Sequence, residues 1–294
     1  MQAISLGNGY ENKIVLSIGY FDAVHIGHAA LFEKARAVSK ELNAETAALV
    51  FKGGFKHGGD VFSYEERLLR LKTQGVDVVI CAAVTDEFKN TSAADFLSEL
   101  FSAYEIAAIV VGEDFTFGKN AAGNVSLLEA ECIKRGVKFF AVKKVKTEGG
   151  ETASSSLIKK YLSLGDVKSA NAVLGCNYFI RGEVVKGKQN GRKIGFPTAN
   201  IIPGEDKYPL KDGVYATLVI ISGDVYGAIT NVGSQPTFGG ENRVIETYVD
   251  GFGGDLYGKI LTVYFIDKIR DIIAFDSVDG LKKQLQKDLE NVRD

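Results

Sequence analysis

Two incompatible periodicities occupy this chain, and they meet near residue 176. From Lys13 to about Val145, short apolar runs such as "KIVLSIGYF", "TAALVF", "VDVVICAAV", "IAAIVVG" and "VKFFAVKKV" alternate with segments whose apolar residues recur at helical spacing. In "HAALFEKARAVSKEL", Leu31, Phe32, Ala35, Val38 and Leu42 fall on one face, as in an amphipathic helix. Ser92 with Asp95 forms a capping-box-like start to another helix. Five strands alternating with helices imply parallel βαβ units and a doubly wound α/β sheet.

Beyond "SSSLIKKYLSLGDVKSANAVLG", which reads as one or two closing helices, strand follows strand: "NYFIRGEVV", "GVYATLVIIS", "VYGAITNV", "RVIETYVD" and "KILTVYFID", with "SGD" as a hairpin turn. This half predicts an antiparallel β-barrel with a C-terminal helix, where Leu281, Leu285 and Leu289 recur at i, i+4 and i+8. The expected domains are residues 1–175 and 176–294, and 294 residues are enough for each to bury its own core.

Composition excludes several classes. A net charge of −2 argues against a nucleic-acid partner held by bulk charge. Cys81, Cys132 and Cys176 lie far apart without CxxC spacing, so neither a disulfide framework nor a zinc ribbon is indicated. There is no run of 18 apolar residues and no leader-like start. The expectation is a cytoplasmic, unprocessed protein that acts on small molecules, with no membrane partner; nothing in the pattern sets an oligomeric state.

Two of the three histidines, His25 and His28, stand three apart in "GYFDAVHIGH", between the first long strand and the first helix. In an open α/β sheet this is where ligands bind, and a helix N-terminus suits phosphate. Gly27 leaves room for both imidazoles to approach one anionic group. The chemistry suggested is stabilisation of the α-phosphate of ATP while a nucleophile displaces pyrophosphate. Solvated surface histidines and half a zinc site are the plainer alternatives, Asp22 being the only further ligand nearby.

The second constellation is "GEVVKGKQNGRKIGFPTANI". Gly182, Gly187, Gly191 and Gly195 allow close backbone approach among the basic Lys186, Lys188, Arg192 and Lys193. Pro197 fixes the chain before Thr198 and Asn200, which share a side if the segment is extended. Two hard oxygens there suit Mg²⁺ bridging nucleotide phosphates. A solvated basic hairpin is the alternative from composition alone.

The first segment resembles the HxGH nucleotidylyltransferases, with Gly19, Phe21 and Asp22 beside the histidines. In the flavin branch of that superfamily, "VVGEDFTFGKNAAGN" resembles the flavin-receiving loop, which implies flavin contacts for Asp114, Phe115, Phe117, Gly118 and Asn124. The serines Ser154, Ser155 and Ser156, followed by Lys159, resemble its phosphate-gripping element; by themselves they read more simply as a helix cap. The second constellation resembles the riboflavin kinase signature, and "NVGSQPTFGGENRVIETYV" and "DLYGKILTVYFIDKIRD" follow it.

The whole chain thus resembles the bacterial bifunctional riboflavin kinase and FAD synthetase family. The resemblance implies Mg²⁺ with ATP at Thr198 and Asn200, nucleotide contacts from the Gly182–Arg192 stretch and Pro197, Glu246 as base toward the riboflavin hydroxyl, and Arg270 near the flavin. Riboflavin, FMN and FAD are the implied substrates and products. Tyr20 and Ala23 stand where the first motif usually has Asn and Gly, while Leu157 and Lys159 stand where arginines are common. These departures leave open a kinase-only reading, and, further off, a flavin-binding sensor without turnover.

Overall fold

Nine residues, Tyr10–Ile18, form a strand whose last five are all buried, as a strand covered on both faces must be. The computed structural model describes residues 1–53, 58–187, 190–236 and 241–293. Its first half runs β1 (Gln2–Ser5), β2 (Tyr10–Ile18), α1 (Ile26–Leu42), β3 (Glu45–Lys52), α2 (Tyr64–Thr73), β4 (Val78–Ala83), α3 (Asp86–Asn90), α4 (Ala93–Ala103) and β5 (Tyr104–Gly112). It continues through the short β6 (Thr116–Phe117) and β7 (Gly123–Asn124), α5 (Val125–Lys134) and β8 (Lys138–Val142). The main sheet has six strands in the order β1-β4-β3-β2-β5-β8, and every pairing in it is parallel.

Apolar residues cover both faces of that sheet. Leu31, Phe32, Ala35 and Val38 of α1 pack against one, while Phe96, Leu97 and Leu100 of α4 pack against the other. Ser92 caps α4 by accepting from the Asp95 amide at 3.1 Å, as the sequence predicts. Of the six strands of this sheet one was not foreseen: β1 pairs with β4 at the sheet edge, but four largely exposed residues carry no apolar run to betray it.

The second half begins with α6 (Ser155–Leu164) and α7 (Val167–Leu174). Six strands follow, β9 (Tyr178–Val185), β10 (Thr198–Ile201), β11 (Gly213–Ile221), β12 (Asp224–Pro236), β13 (Glu241–Val249) and β14 (Ile260–Arg270), with the single turn α8 (Asn190–Lys193) after β9 and the terminal α9 (Val278–Arg293) after β14. They close as an antiparallel barrel, β10-β13-β12-β11-β14-β9. The two-residue turn between β11 and β12 places Ser222 at φ 55° and Gly223 at φ 97°, the left-handed pair that a tight hairpin needs. Inside, a ladder of hydroxyls joins Thr217, Thr230 and Thr247 at 2.8 and 3.0 Å.

Internal packing divides the chain into Met1–Ser154 and Ser155–Asp294, whereas the sequence pattern changes at 176; α6 and α7 are the difference. Both helices are stitched to the barrel unit. Asn171 donates to the Phe265 carbonyl and accepts from the Tyr178 amide, and the Lys211 amide donates to the Leu162 carbonyl. Ile158, Leu162, Val167, Ala170, Val173 and Leu174 are buried. A 155–294 fragment is therefore expected to melt more than about 10 °C above a 176–294 fragment, since each such aliphatic side chain contributes about 1.5–3 kcal/mol and each kcal/mol moves a domain of this size by several degrees. Equal melting temperatures would assign the helices no part in the barrel unit.

Candidate active sites

Chain progression reverses at β2, which has β3 on one side and β5 on the other; the crevice at the carboxyl ends of such a pair is where open α/β sheets bind ligands. The loop leaving β2 is strained. Phe21 and Val24 have φ of 50° and 45° and are buried, a costly conformation for a bulky and a β-branched side chain. A Cβ on Gly19 would lie 2.9 Å from the Phe21 ring. Asp22 is buried, and its carboxylate accepts from the Val61 amide at 2.6 Å, so part of its work is to hold this loop.

That loop delivers His25 to the N-cap of α1. Its Nδ1 accepts from the Gly27 amide at 3.1 Å, and Nδ1 of His28 accepts from the His25 amide at 3.3 Å. An accepting Nδ1 carries no proton, so each neutral ring holds its proton on Nε2. The rings stack at 3.8 Å and 23°, with Phe21 edge-on to His28 at 5.1 Å. A Cβ on Gly27 would crowd the His25 ring at 3.0 Å, which explains the glycine. The two rings thus stand stacked at a helix N-terminus, where an anionic group is favoured.

Beside this loop lies a cavity of about 530 Å³, and its walls include Gly19, Asp114, Phe115, Phe117 and Gly118. The structure thereby brings one expected nucleotide residue together with four of the expected flavin residues. The Phe115 and Phe117 rings lie 5.7 Å apart at 15°, and Asp114 pairs with Lys144 at 2.9 Å. Gly118 has φ of 72°, and a Cβ there would strike the Ala93 backbone at 2.7 Å. Asn124 caps α5, accepting from the Leu127 amide. Ser154 closes the first unit, while Ser155, Ser156 and Lys159 belong to the second; there the Lys159 ammonium sits 5.5 Å from the Tyr208 ring centroid.

In the barrel, the "PTAN" segment is β10 with its preceding turn. Asn200 is buried, and its Nδ2 donates to the Thr198 carbonyl at 3.3 Å. A Cβ on Gly187 would meet the Asn200 side chain at 2.8 Å, one on Gly182 would meet Ile201 at 2.5 Å, and one on Gly191 would meet the Phe196 carbonyl at 2.2 Å. These glycines serve close packing around β10. Arg192, Pro197 and Thr198 line a small cavity of about 60 Å³ with Thr247, Asp255 and Tyr257. Lys186 lies over the Tyr257 ring at 5.9 Å. Lys188 and the Lys193 side chain fall outside the described residues.

Glu246 stands opposite Asn200 on β10 and opposite Asn231 on β12. Directly opposed residues share a face with Cβ atoms about 4.5–5.5 Å apart, so one row carries Asn200, Glu246 and Asn231. Sequence reasoning missed Asn231 because the pairing register joins residues far apart in the chain. Arg270 donates from Nε and Nη2 to Asp288 of α9 and from Nη1 to the Asp271 carbonyl. Asp288 is 1% exposed, so the pair anchors the terminal helix.

A riboflavin kinase family model matches residues 174–294, and an FAD synthetase model matches residues 8–157. The bifunctional riboflavin kinase/FMN adenylyltransferase of Haemophilus influenzae is 33% identical over 289 residues, covering 95% of this chain and 92% of that one. The Bacillus subtilis protein of the same name is 31% identical over 95% of this chain and 91% of its own length. A Streptococcus pneumoniae crystal structure described as a macrolide-efflux protein is 32% identical, with a TM-score of 0.89 over 99% of both chains. Among the described residues here, no helix is long and apolar enough to cross a membrane.

The chain belongs to the bifunctional riboflavin kinase/FMN adenylyltransferase family. It is an enzyme with both activities, forming FMN from riboflavin and FAD from FMN at the expense of ATP.

Proposed function

We propose that adenylylation is carried by the stacked pair His25 and His28 and phosphorylation by the β10–β13 row of Thr198, Asn200 and Glu246. The observation that carries the first assignment is the cavity joining Gly19 to Asp114, Phe115, Phe117 and Gly118 at the sheet's switch point. FMN occupies it, and the α-phosphate of ATP rests against the imidazole Nε2–H groups and the start of α1. The flavin phosphate attacks, pyrophosphate leaves, and the donors stabilise charge that builds in the transition state. Ser154, at the end of the same unit, is the proposed additional phosphate contact.

In the barrel, Glu246 accepts the proton of the riboflavin 5′-hydroxyl as that oxygen attacks the γ-phosphorus of ATP and the β,γ P–O bond breaks to release ADP. Thr198 and Asn200 would hold Mg²⁺, and their chemistry fits: Nδ2 of Asn200 is given to the Thr198 carbonyl, and its Oδ1 is a hard oxygen of the kind Mg²⁺ prefers. When bound, the ion offsets phosphate charge. Lys186 and Arg192 supply further positive charge, and the glycines let the backbone close on the nucleotide.

The reading is tested by following both products, with riboflavin or FMN as starting material, in wild type and Asn200→Ala. The variant is expected to need several-fold more Mg²⁺ and ATP for FMN formation, while its conversion of supplied FMN to FAD stays at the wild-type rate. Equal loss in both reactions would overturn the assignment of Asn200 to the kinase nucleotide site.

A further inference from the structure

Arg67 of α2 is 2% exposed. A guanidinium is costly to bury, and this one directs its donors at main chain: Nη1 donates to the Tyr20 carbonyl at 3.1 Å and to the Phe51 carbonyl at 3.0 Å. Its Nη2 faces the Asp60 carboxylate at 3.7 Å. The helix that carries it is fixed at its start by a capping box, in which Ser63 accepts from the Glu66 amide at 3.3 Å and Glu66 from the Ser63 amide at 2.8 Å.

Both carbonyls lie where the chain of β2 leaves the sheet. The Gly19 amide donates to the Leu49 carbonyl of β3 at 3.3 Å. Two residues further along β3, the Phe51 carbonyl, which strand alternation turns to the same side, receives Arg67. The guanidinium thus extends the sheet's hydrogen bonding past the point where the backbone turns away. Its other acceptor belongs to the peptide joining Tyr20 to Phe21. The orientation of that peptide sets φ of Phe21, which stands at 50°, a value that a bulky residue keeps only where its surroundings over-determine it. Phe21 in turn is buried and meets the His28 ring edge-on at 5.1 Å, so one peptide and one ring connect the guanidinium to the imidazole. Three residues along the same helix, Arg70 Nη2 donates to the Val24 carbonyl at 3.3 Å, immediately before His25. Both strained residues of the loop are therefore held from α2.

We propose that Arg67 is a positioning residue for AMP transfer: by holding the Tyr20–Phe21 peptide in its strained orientation, it sets Phe21 against His28 and so aims that ring's donor. This rests on the assignment of His28 to the α-phosphate. A donor stabilises developing charge only if it is already aimed when the charge appears. Charge-assisted hydrogen bonds are stronger than neutral ones, which suits Arg67 to opposing the strain at Phe21. Arg67 is not part of the wall of the 530 Å³ cavity. Its loss therefore falls on kcat and leaves the binding of FMN and ATP in place.

The test uses the full chain, with FAD formation from FMN measured while FMN and ATP are varied separately, and riboflavin phosphorylation followed alongside. Arg67→Met is made together with Asp60→Asn, so that no carboxylate is left buried without its cation. This double variant is expected to lose about a hundredfold in kcat, the cost of a small misplacement at a catalytic centre. Both KM values should stay within about threefold of wild type, and the kinase rate should not change. Arg67→Lys keeps the cation without the planar fork and is expected to lose only about three- to tenfold in kcat. In a His28→Ala background the Arg67→Met, Asp60→Asn pair is expected to lower kcat by less than about threefold, because residues that act through one group are not additive. Wild-type kcat in the Arg67 variants would overturn the proposal, and if the double variant failed to fold, wild-type kcat in Arg67→Lys would do so by itself. An equal loss repeated in the His28→Ala background would also overturn it, by showing that Arg67 acts on the unit as a whole. So would raised KM values at unchanged kcat, which would give Arg67 a part in substrate binding. FAD formation at the wild-type rate in His28→Ala would instead overturn the assignment of His28 on which the proposal rests.

Discussion

Glu246→Gln is expected to lower FMN formation from riboflavin by about a hundredfold to ten-thousandfold, the usual range for loss of a general base. The substitution keeps the shape of a side chain that lies between Asn200 and Asn231 on neighbouring strands. It removes only the ability to take a proton. Such a fall corresponds to about 3–5.5 kcal/mol of lost transition-state stabilisation at 1.36 kcal/mol per tenfold. The same variant should convert supplied FMN to FAD at the wild-type rate, because the parallel-sheet unit carries that reaction. Retention of full kinase activity would remove Glu246 from the base role.

Why Glu246 needed a resemblance to be noticed, while the fold did not, follows from what each depends on. Strand and helix periods are local, so α1 could be read from Leu31, Phe32, Ala35 and Val38, all of which are buried. The turn at Ser222 and Gly223 announced itself in the same way. A site depends on register. Nothing within "RVIETYV" says that Glu246 will face Asn200 and Asn231, since that pairing is made by strands distant in sequence.

Buried charge misleads for a related reason. Glu66, Arg67 and Arg70 would pass for the wet face of an amphipathic helix, yet all three are buried. Arg67 and Arg70 donate to carbonyls of the Tyr20–Val24 loop, and Glu66 caps its own helix through the Ser63 amide. A strained, buried loop leaves carbonyls that no strand or helix satisfies, and buried arginines fill that need. Their positions could not be read before the loop was known. Arg270 is a further case: its pairing with the buried carboxylate of Asp288 on the last helix could not be read from its own segment.

The histidine pair gives the complementary large effect. His28→Ala is expected to cut FAD formation from FMN by about a hundredfold to a thousandfold, the usual loss when one preorganised donor to a developing negative charge is removed, and to leave riboflavin phosphorylation intact. The geometry argues for a catalytic rather than a merely structural loss. His28 accepts from the His25 amide and stacks on its ring at 3.8 Å, so its removal takes away one Nε2–H and frees the orientation of the other. His28→Asn separates the two contributions, because its side-chain oxygen can still accept from the His25 amide at the helix start, while it supplies no imidazole donor. If the role were capping alone, His28→Asn would recover most of the FAD activity. If the donor matters, it would stay close to His28→Ala, with kinase activity and melting temperature near wild type in both. FAD formation at the wild-type rate in His28→Ala would refute the assignment of this ring to AMP transfer.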